Sequence, residues 1–161
     1  MSSLPQVYFY DRSKQQANIA DEVLAGLLAE QKYISPKFFY DAHGSALFTA
    51  ITRLPEYYLT RVEMALLTEH ATAIAEKVGA NCQLIEYGSG SSEKIRLLLE
   101  SLRPSLYAPL DISADYLARA ANALASEFPW LEVHAVNVDF TDDFTLPFKH
   151  EGRRVSFFPG S

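Results

Sequence analysis

The stretch LIEYGSGSSEK, Leu84 to Lys94, decides how the chain folds. Two apolar residues, Leu84 and Ile85, lead into an acid, Glu86, and then into a glycine turn, Gly88-Ser89-Gly90. Beyond the turn, charged residues open a helical pattern at Ile95, Leu98, Leu99 and Leu102. The order is strand, tight turn, helix. Glycine accepts positive φ and carries no side chain, so the backbone N–H groups of such a turn can approach a nucleotide-like ligand closely.

Outward from this turn the same alternation repeats. Downstream, Leu106 to Leu110 reads as a second strand ending at Asp111. Ser113 is placed to cap a helix whose apolar face is Leu117, Ala120, Ala121, Leu124 and Phe128, with Pro129 helping to stop it. Leu131 to Val138 reads as a third strand and Val155 to Phe158 as a fourth. Upstream, Arg61 to Lys77 forms a long helical pattern with Met64, Leu67, Ala71, Ile74 and Val78 on one face and Gly79 as its C-terminal stop. Leu47, Phe48 and Ile51 predict a short helix ending near Leu54-Pro55, and Gln15 to Gln31 an amphipathic helix whose role is packing. Residues 1 to 12 show no clear period and read as an extended or loose arm.

Strands alternating with helices predict an α/β fold with a parallel sheet, and consecutive apolar positions at Leu84-Ile85 and Val155 to Phe158 suit strands covered on both faces. In such sheets ligands bind beyond the carboxyl ends of the strands. Gly88, Asp111, Asp139 and Pro159 all fall at predicted strand ends and are expected to share one rim.

Composition narrows the function. At 161 residues, 48% hydrophobic and 21% charged, the chain has the profile of a folded domain rather than of disorder. A net charge of −6 and the lack of any Lys/Arg cluster argue against a nucleic-acid partner. There is no apolar run of the roughly 20 residues a membrane span needs. The single cysteine, Cys82, cannot form an intrachain disulfide and reads as a buried, inert thiol, so a soluble cytoplasmic protein is expected. Cys/His spacing of the zinc type is absent, and no metal site is expected.

A G-x-G alone is a weak signal, but its setting here is informative. It follows Glu86 and opens a helix, and Asp111 comes 21 residues after Gly90, where a carboxylate can accept both hydroxyls of a ribose. That pattern fits NAD and S-adenosylmethionine alike. Ser92 or Glu93 occupies the place of the third glycine of the dinucleotide fingerprint, so a pyrophosphate is less well provided for. Asp139, followed by Phe140, ends the third strand, where an acid can meet an adenine amino group while the aromatic covers the ring. These details favour the methyl donor. The candidate cofactor-binding residues are Glu86, Gly88, Ser89, Gly90, Lys94, Asp111, Asp139 and Phe140. Helix capping or loop solvation would also account for Asp111 and Asp139.

The sequence resembles the histidine-specific Nα-methyltransferases of ergothioneine biosynthesis, a class I family that uses S-adenosylmethionine. SPKFFYDAHGSALFTAITRLPEYYLTR (Ser35 to Arg61), IEYGSGSSEK (Ile85 to Lys94), PLDIS (Pro109 to Ser113), VDF (Val138 to Phe140) and RRVSFFPGS (Arg153 to Ser161) follow the family's order and approximate spacing. The resemblance implies a Rossmann-like sheet in which Gly88 and Lys94 belong to the donor site, Asp111 binds the ribose, and Asp139 with Phe140 frames the adenine. It implies that Tyr40 and Tyr57 face an amino-acid substrate and are the candidate catalytic residues. On residue type alone, Tyr40, Tyr57 and Tyr58 would read as core or hinge aromatics.

Residues 1–62 are then expected to form an N-terminal helical and substrate-lid segment, and residues 63–161 the first part of the donor-binding domain. The family continues for about as many residues again beyond the Phe158-Pro159-Gly160-Ser161 turn. An apolar fourth strand left at an open edge is prone to pair with other chains. The expectation is an N-terminal fragment, or a sheet completed by self-association or by another chain, that keeps much of the donor site without turnover. A nicotinamide-dependent oxidoreductase and a non-catalytic interaction module remain as alternatives.

Overall fold

A computed structural model of the chain describes residues 7–13, 19–149 and 152–160. Among the described residues, five strands make one fully parallel sheet: β1 (Val7–Asp11), β2 (Gln83–Tyr87), β3 (Leu106–Asp111), β4 (Val133–Asn137) and β5 (Arg154–Phe157), in the order β1-β4-β3-β2-β5. The helices are α1 (Ile19–Leu28), α2 (Ala42–Ile51), α3 (Tyr58–Val78), α4 (Glu93–Leu102) and α5 (Ala114–Glu127).

The crossovers β2-α4-β3 and β3-α5-β4 step across the sheet in one direction, and the uniform hand of such crossovers sends their helices to the same face. Ile95, Leu98, Leu99 and Leu102 of α4, Leu117, Ala121 and Leu124 of α5, and Ala71 of α3 accordingly share one core with Leu84, Tyr107, Val133 and Ala135 of the sheet. Every α4 position picked out by its period is buried, each such side chain contributing roughly 1.5–3 kcal/mol of apolar burial. Gly79 closes α3 with φ of 83°, as the helix-stop reading predicts. On the opposite face Ile85, Ala108, Leu110, Val136 and Val138 are covered by Phe144, Leu146 and Phe148 of the β4–β5 connection. After β4 the chain returns past β2 to lay down β5 on its far side, parallel to the rest, so the order in which strands are added reverses at β2. Clefts open at such reversals, beyond the strand ends.

Four features differ from the sequence reading. The N-terminal arm contains a real strand: Val7 to Asp11 pairs in register with Val133 to Asn137, and the Tyr10 hydroxyl lies 3.1 Å from His134 Nδ1. Its run of β-branched and aromatic residues carries β propensity without the alternation that would announce it. Second, β5 stands at the open edge expected of it, but it is not covered on both faces. Val155 and Phe157 are partly buried, whereas Ser156 is exposed and Phe158 beyond it is 71% exposed. Third, most of the large apolar residues of α1 stay in solvent, Leu24 at 54% and Leu28 at 74% exposed, while Val23 is half-buried. Only Gly26 of that helix is buried, where a Cβ would come within 2.4 Å of the Tyr33 carbonyl oxygen. The part of the predicted helix before Ile19, residues 15–18, lies outside the described residues. Fourth, Ser113 occupies the N-cap of α5 but makes no side-chain capping bond; its own N–H donates instead to Asp111 Oδ1.

Candidate functional site

The carboxyl ends of β2, β3 and β5, together with α2 and the first turn of α3, enclose a cleft of about 510 Å³. Its floor is the glycine turn. Gly88 and Gly90 have φ of 65° and 51°, the left-handed region that glycine enters without the Cβ penalty. Gly88 N–H and Ser89 N–H both donate to Leu110 O, at 2.9 and 3.1 Å, which ties the turn to the end of β3. A Cβ on Gly88 would already touch the Phe140 ring at 3.8 Å.

Asp111 is held from two sides. Its Oδ2 accepts from Gly90 N–H and its Oδ1 from Ser113 N–H, each at 2.9 Å, so the acid joins the glycine turn to the start of α5 while lining the cleft. Behind it, buried Asn137 donates to the carbonyls of Asp111 and Ile112 at 3.0 and 2.9 Å. Asn137 fixes the loop that carries the acid, a role invisible in a strand residue read singly.

Glu86 is only 1% exposed and accepts a hydrogen bond from the equally buried Tyr107 hydroxyl, which lies 3.4 Å from Ser92 Oγ. Burial pushes the Glu86 carboxyl up to about 8, outweighing the opposing pull of the Tyr107 bond and of the Lys94 charge. The folded state then binds this proton more tightly than the unfolded chain, whose carboxyl titrates near 4.5, so stability falls as pH rises from about 4.5 through about 8. Glu86→Gln keeps the shape and removes the titration. Thermal melts across that window are expected to show the variant gaining on the wild-type chain as pH rises; parallel profiles would refute the assignment.

The opposite wall is aromatic. Tyr40 and Tyr57 both line the cleft and stand edge-on to Phe48 between them, each with a ring-centroid separation of 6.2 Å. Neither tyrosine hydroxyl has a hydrogen-bond partner among the described residues. Phe140 closes one end, edge-on to Tyr87 and Phe158 at 5.6 and 6.0 Å. Asp139 is the one predicted site residue not brought into this cleft. It faces an adjoining hollow, reached past Tyr40 and Ile112, which line both. There it accepts from Thr141 N–H and Oγ1 at 3.1 and 2.5 Å and pairs with Lys37 at 3.4 Å. Burial alone would raise its carboxyl, but the Thr141 bonds and the Lys37 charge together hold it below the ordinary value.

Lys94 enters from α4, and its Nζ is 2.7 Å from Glu63 Oε2 of α3. The other oxygen of Glu63 accepts from Gly160 N–H at 2.7 Å, so one carboxylate ties α3, Lys94 of α4 and the turn after β5. Glu63 escaped the sequence reading because an acid on a long helix ordinarily belongs to its solvated face. Asn137 was missed for a similar reason: it acquires its role from Asp111 and Ile112, which lie on another strand end far away in the chain.

Among the described residues no helix is long and apolar enough to cross a membrane, and no cluster of potential metal ligands is present. The profile of the histidine-specific, S-adenosylmethionine-dependent methyltransferase family matches residues 19–161. The chain is 44% identical over 144 residues to a histidine N-alpha-methyltransferase of Mycolicibacterium smegmatis, an alignment covering 87% of this chain and 44% of that protein. It is 43% identical over 84 residues to ergothioneine biosynthesis protein 1 of Neurospora crassa, covering 50% of this chain and 10% of that one. It is 29% identical over 113 residues to a 4-dimethylallyltryptophan N-methyltransferase of Claviceps purpurea, covering 68% of this chain and 33% of that enzyme. The chain thus spans less than half the length of these relatives. With the glycine turn, Asp111 and Lys94 gathered at one cleft and the family match running almost from end to end, the chain belongs to the histidine-specific, S-adenosylmethionine-dependent methyltransferases.

Proposed function

We propose that the protein transfers methyl groups from S-adenosylmethionine to the α-amino group of an amino acid, L-histidine, giving trimethylhistidine. The carrying observation is the opposition of two walls in one cleft: the glycine turn, Lys94 and Asp111 on one side, Tyr40 and Tyr57 on the other. The residues fit such a donor. The turn leaves Ser89 Oγ buried and unpartnered at the floor, and Gly88 keeps the backbone open where any side chain would project toward Phe140. In this reading Asp111 accepts the ribose hydroxyls, Phe140 covers the adenine, and Asp139 meets its amino group from the adjoining hollow. Residues 63–161 supply the donor side, and residues 1–62 bring the substrate side over it.

The donor supplies an already activated sulfonium methyl, so the protein's task is placement. For that placement to serve, the α-ammonium would first give up its proton to solvent, so that a free lone pair faces the methyl in line with the S–C bond that would break as the C–N bond forms. The Tyr40 and Tyr57 hydroxyls hold the amine without adding a full charge, and their rings suit a cationic methylated product. Tyr40→Phe and Tyr57→Phe are each expected to slow methylation about tenfold in turnover-competent protein, the worth of one hydrogen bond, and to leave S-adenosylhomocysteine affinity within about twofold. Equal losses in rate and in donor affinity would sink these roles.

Titration calorimetry with S-adenosylhomocysteine and with NADH tests the donor directly. Saturable binding of the first and none of the second is expected, because Glu93 puts a negative charge in the first turn of α4, where a pyrophosphate would need the helix terminus. The reverse pattern would establish a nicotinamide enzyme. The free side of β5 is the place where a completing polypeptide or a second copy would pair, and the cytoplasm suits a chain with one buried thiol.

A further inference from the structure

Residues 52–57 join α2 to α3 and bring Tyr57 to the cleft wall, yet little packing holds them. Arg53, Leu54, Pro55 and Glu56 are all exposed, whereas Tyr57 is half-buried and edge-on to Phe48. Tyr57 is the N-cap of α3 and makes no side-chain capping bond. Polar contacts hold the connection instead. Arg61 Nη1 donates to Leu54 O at 2.8 Å and Nη2 to Pro55 O at 2.7 Å. Tyr57 N–H donates to the same Leu54 O at 3.2 Å, and a longer contact of 3.5 Å joins Nη1 to Tyr57 O. One guanidinium fork thus grips two successive carbonyls of a loop that side-chain burial does not fix.

An arginine is an unexpected residue at this point for stability alone. Arg61 stands in the first turn of α3, at the positive end of the helix dipole, and no acid accompanies it in that turn. The gathered carbonyl oxygens supply the negative counterpart. A guanidinium carries its N–H donors in a rigid plane, so binding two carbonyls at once fixes a direction as well as a distance. Direction matters because the residue after Tyr57 is also a tyrosine. Successive helix positions are turned by about 100°, so a slip of one residue where the chain enters α3 would put Tyr58 in the place of Tyr57. Tyr58 is 59% exposed and lies outside the cleft lining, which Tyr57 joins.

We propose that Arg61 is a positioning residue for methyl transfer: its guanidinium clamps the carbonyls of Leu54 and Pro55 so that Tyr57, and not Tyr58, presents its hydroxyl to the substrate. The assignment rests on the reading of Tyr57 as a substrate-side residue. Its test is a double-mutant cycle in turnover-competent protein, with hydrogen exchange on the chain itself. Arg61→Met is expected to slow methylation about tenfold, the worth of the one hydrogen bond it misplaces, and to leave S-adenosylhomocysteine affinity within about twofold. In a Tyr57→Phe background the same substitution adds less than about twofold, because the hydroxyl it places is already gone. Arg61→Lys keeps the charge without the fork and recovers part of the rate, to about threefold below wild type. Exchange of the Tyr57 amide quickens in Arg61→Met while that of Ala71, in the middle of α3, does not. Losses that multiply across the cycle, a rate equal to wild type, or an equal fall in rate and donor affinity would each overturn the clamp. If Tyr57→Phe slows methylation and Arg61→Met does not, the clamp alone is wrong; if Tyr57→Phe has no effect, the substrate-side reading of Tyr57 falls and the clamp with it.

Discussion

Asp111→Ala is expected to lower the affinity for S-adenosylhomocysteine about a hundredfold, close to 2.7 kcal/mol, and to cost stability as well. The carboxylate does two things that alanine cannot replace. It accepts the N–H groups of Gly90 and Ser113 at 2.9 Å, so its removal frees the glycine turn and the start of α5 at once. It also carries the lone pairs proposed to receive the ribose hydroxyls. Hydrogen bonds to a charged acceptor contribute roughly 1.5–3 kcal/mol each, and losing the ribose contacts while loosening the turn beneath them reaches the stated magnitude without any further effect. Asp111→Asn separates the two roles. An amide offers only one acceptor oxygen, so it can satisfy Gly90 or Ser113 but turns N–H against N–H at the other. Its affinity is expected between those of alanine and the wild type. Calorimetric titration with a parallel thermal melt checks both quantities; an alanine variant that melts lower yet binds with wild-type affinity would confine Asp111 to internal bracing.

What was legible in the sequence was what neighbours in sequence settle. The period of Ile95, Leu98, Leu99 and Leu102 gave the buried face of α4 because side chains three and four apart share a helix face whatever they meet. The same logic predicted a helix around Leu24, Leu27 and Leu28, and α1 forms there, yet the period names an apolar side without naming a cover for it. Strand ends were legible too, and with them the rim that carries Gly88 and Asp111. Side-chain direction at those ends was not: Asp139 lies at its expected position but turns into the neighbouring hollow, drawn by Thr141 and Lys37. Contacts across long separations were the least readable. The strand at Val7 to Asp11 depends on β4, which is formed far later in the chain, and Glu63 acquires its meaning only when β5 brings Gly160 beneath α3. The family resemblance supplied Tyr40 and Tyr57, and Phe48 between them shows how one edge-on ring sets their spacing.

Gly88→Val is expected to abolish measurable binding of S-adenosylhomocysteine, and Gly88→Ala to weaken it while leaving the fold largely intact. The difference follows from two separate penalties at one position. The backbone at Gly88 has φ of 65°, so any side chain incurs the left-handed conformational cost, about 1–2 kcal/mol for alanine and more for a β-branched residue whose methyls crowd its own backbone. The second penalty is spatial. A single Cβ would rest at 3.8 Å from Phe140, ordinary contact that alanine tolerates, but the two further methyls of valine must press into that ring or stand in the cleft where the donor's backbone contacts belong. Strain alone would lower the melting temperature of both variants and leave binding proportionate. A blocked cleft instead separates them, with alanine still titrating and valine not. If valine binds as well as alanine does, the donor never comes close to the Gly88 backbone, and the glycine at this turn would be explained by its φ alone.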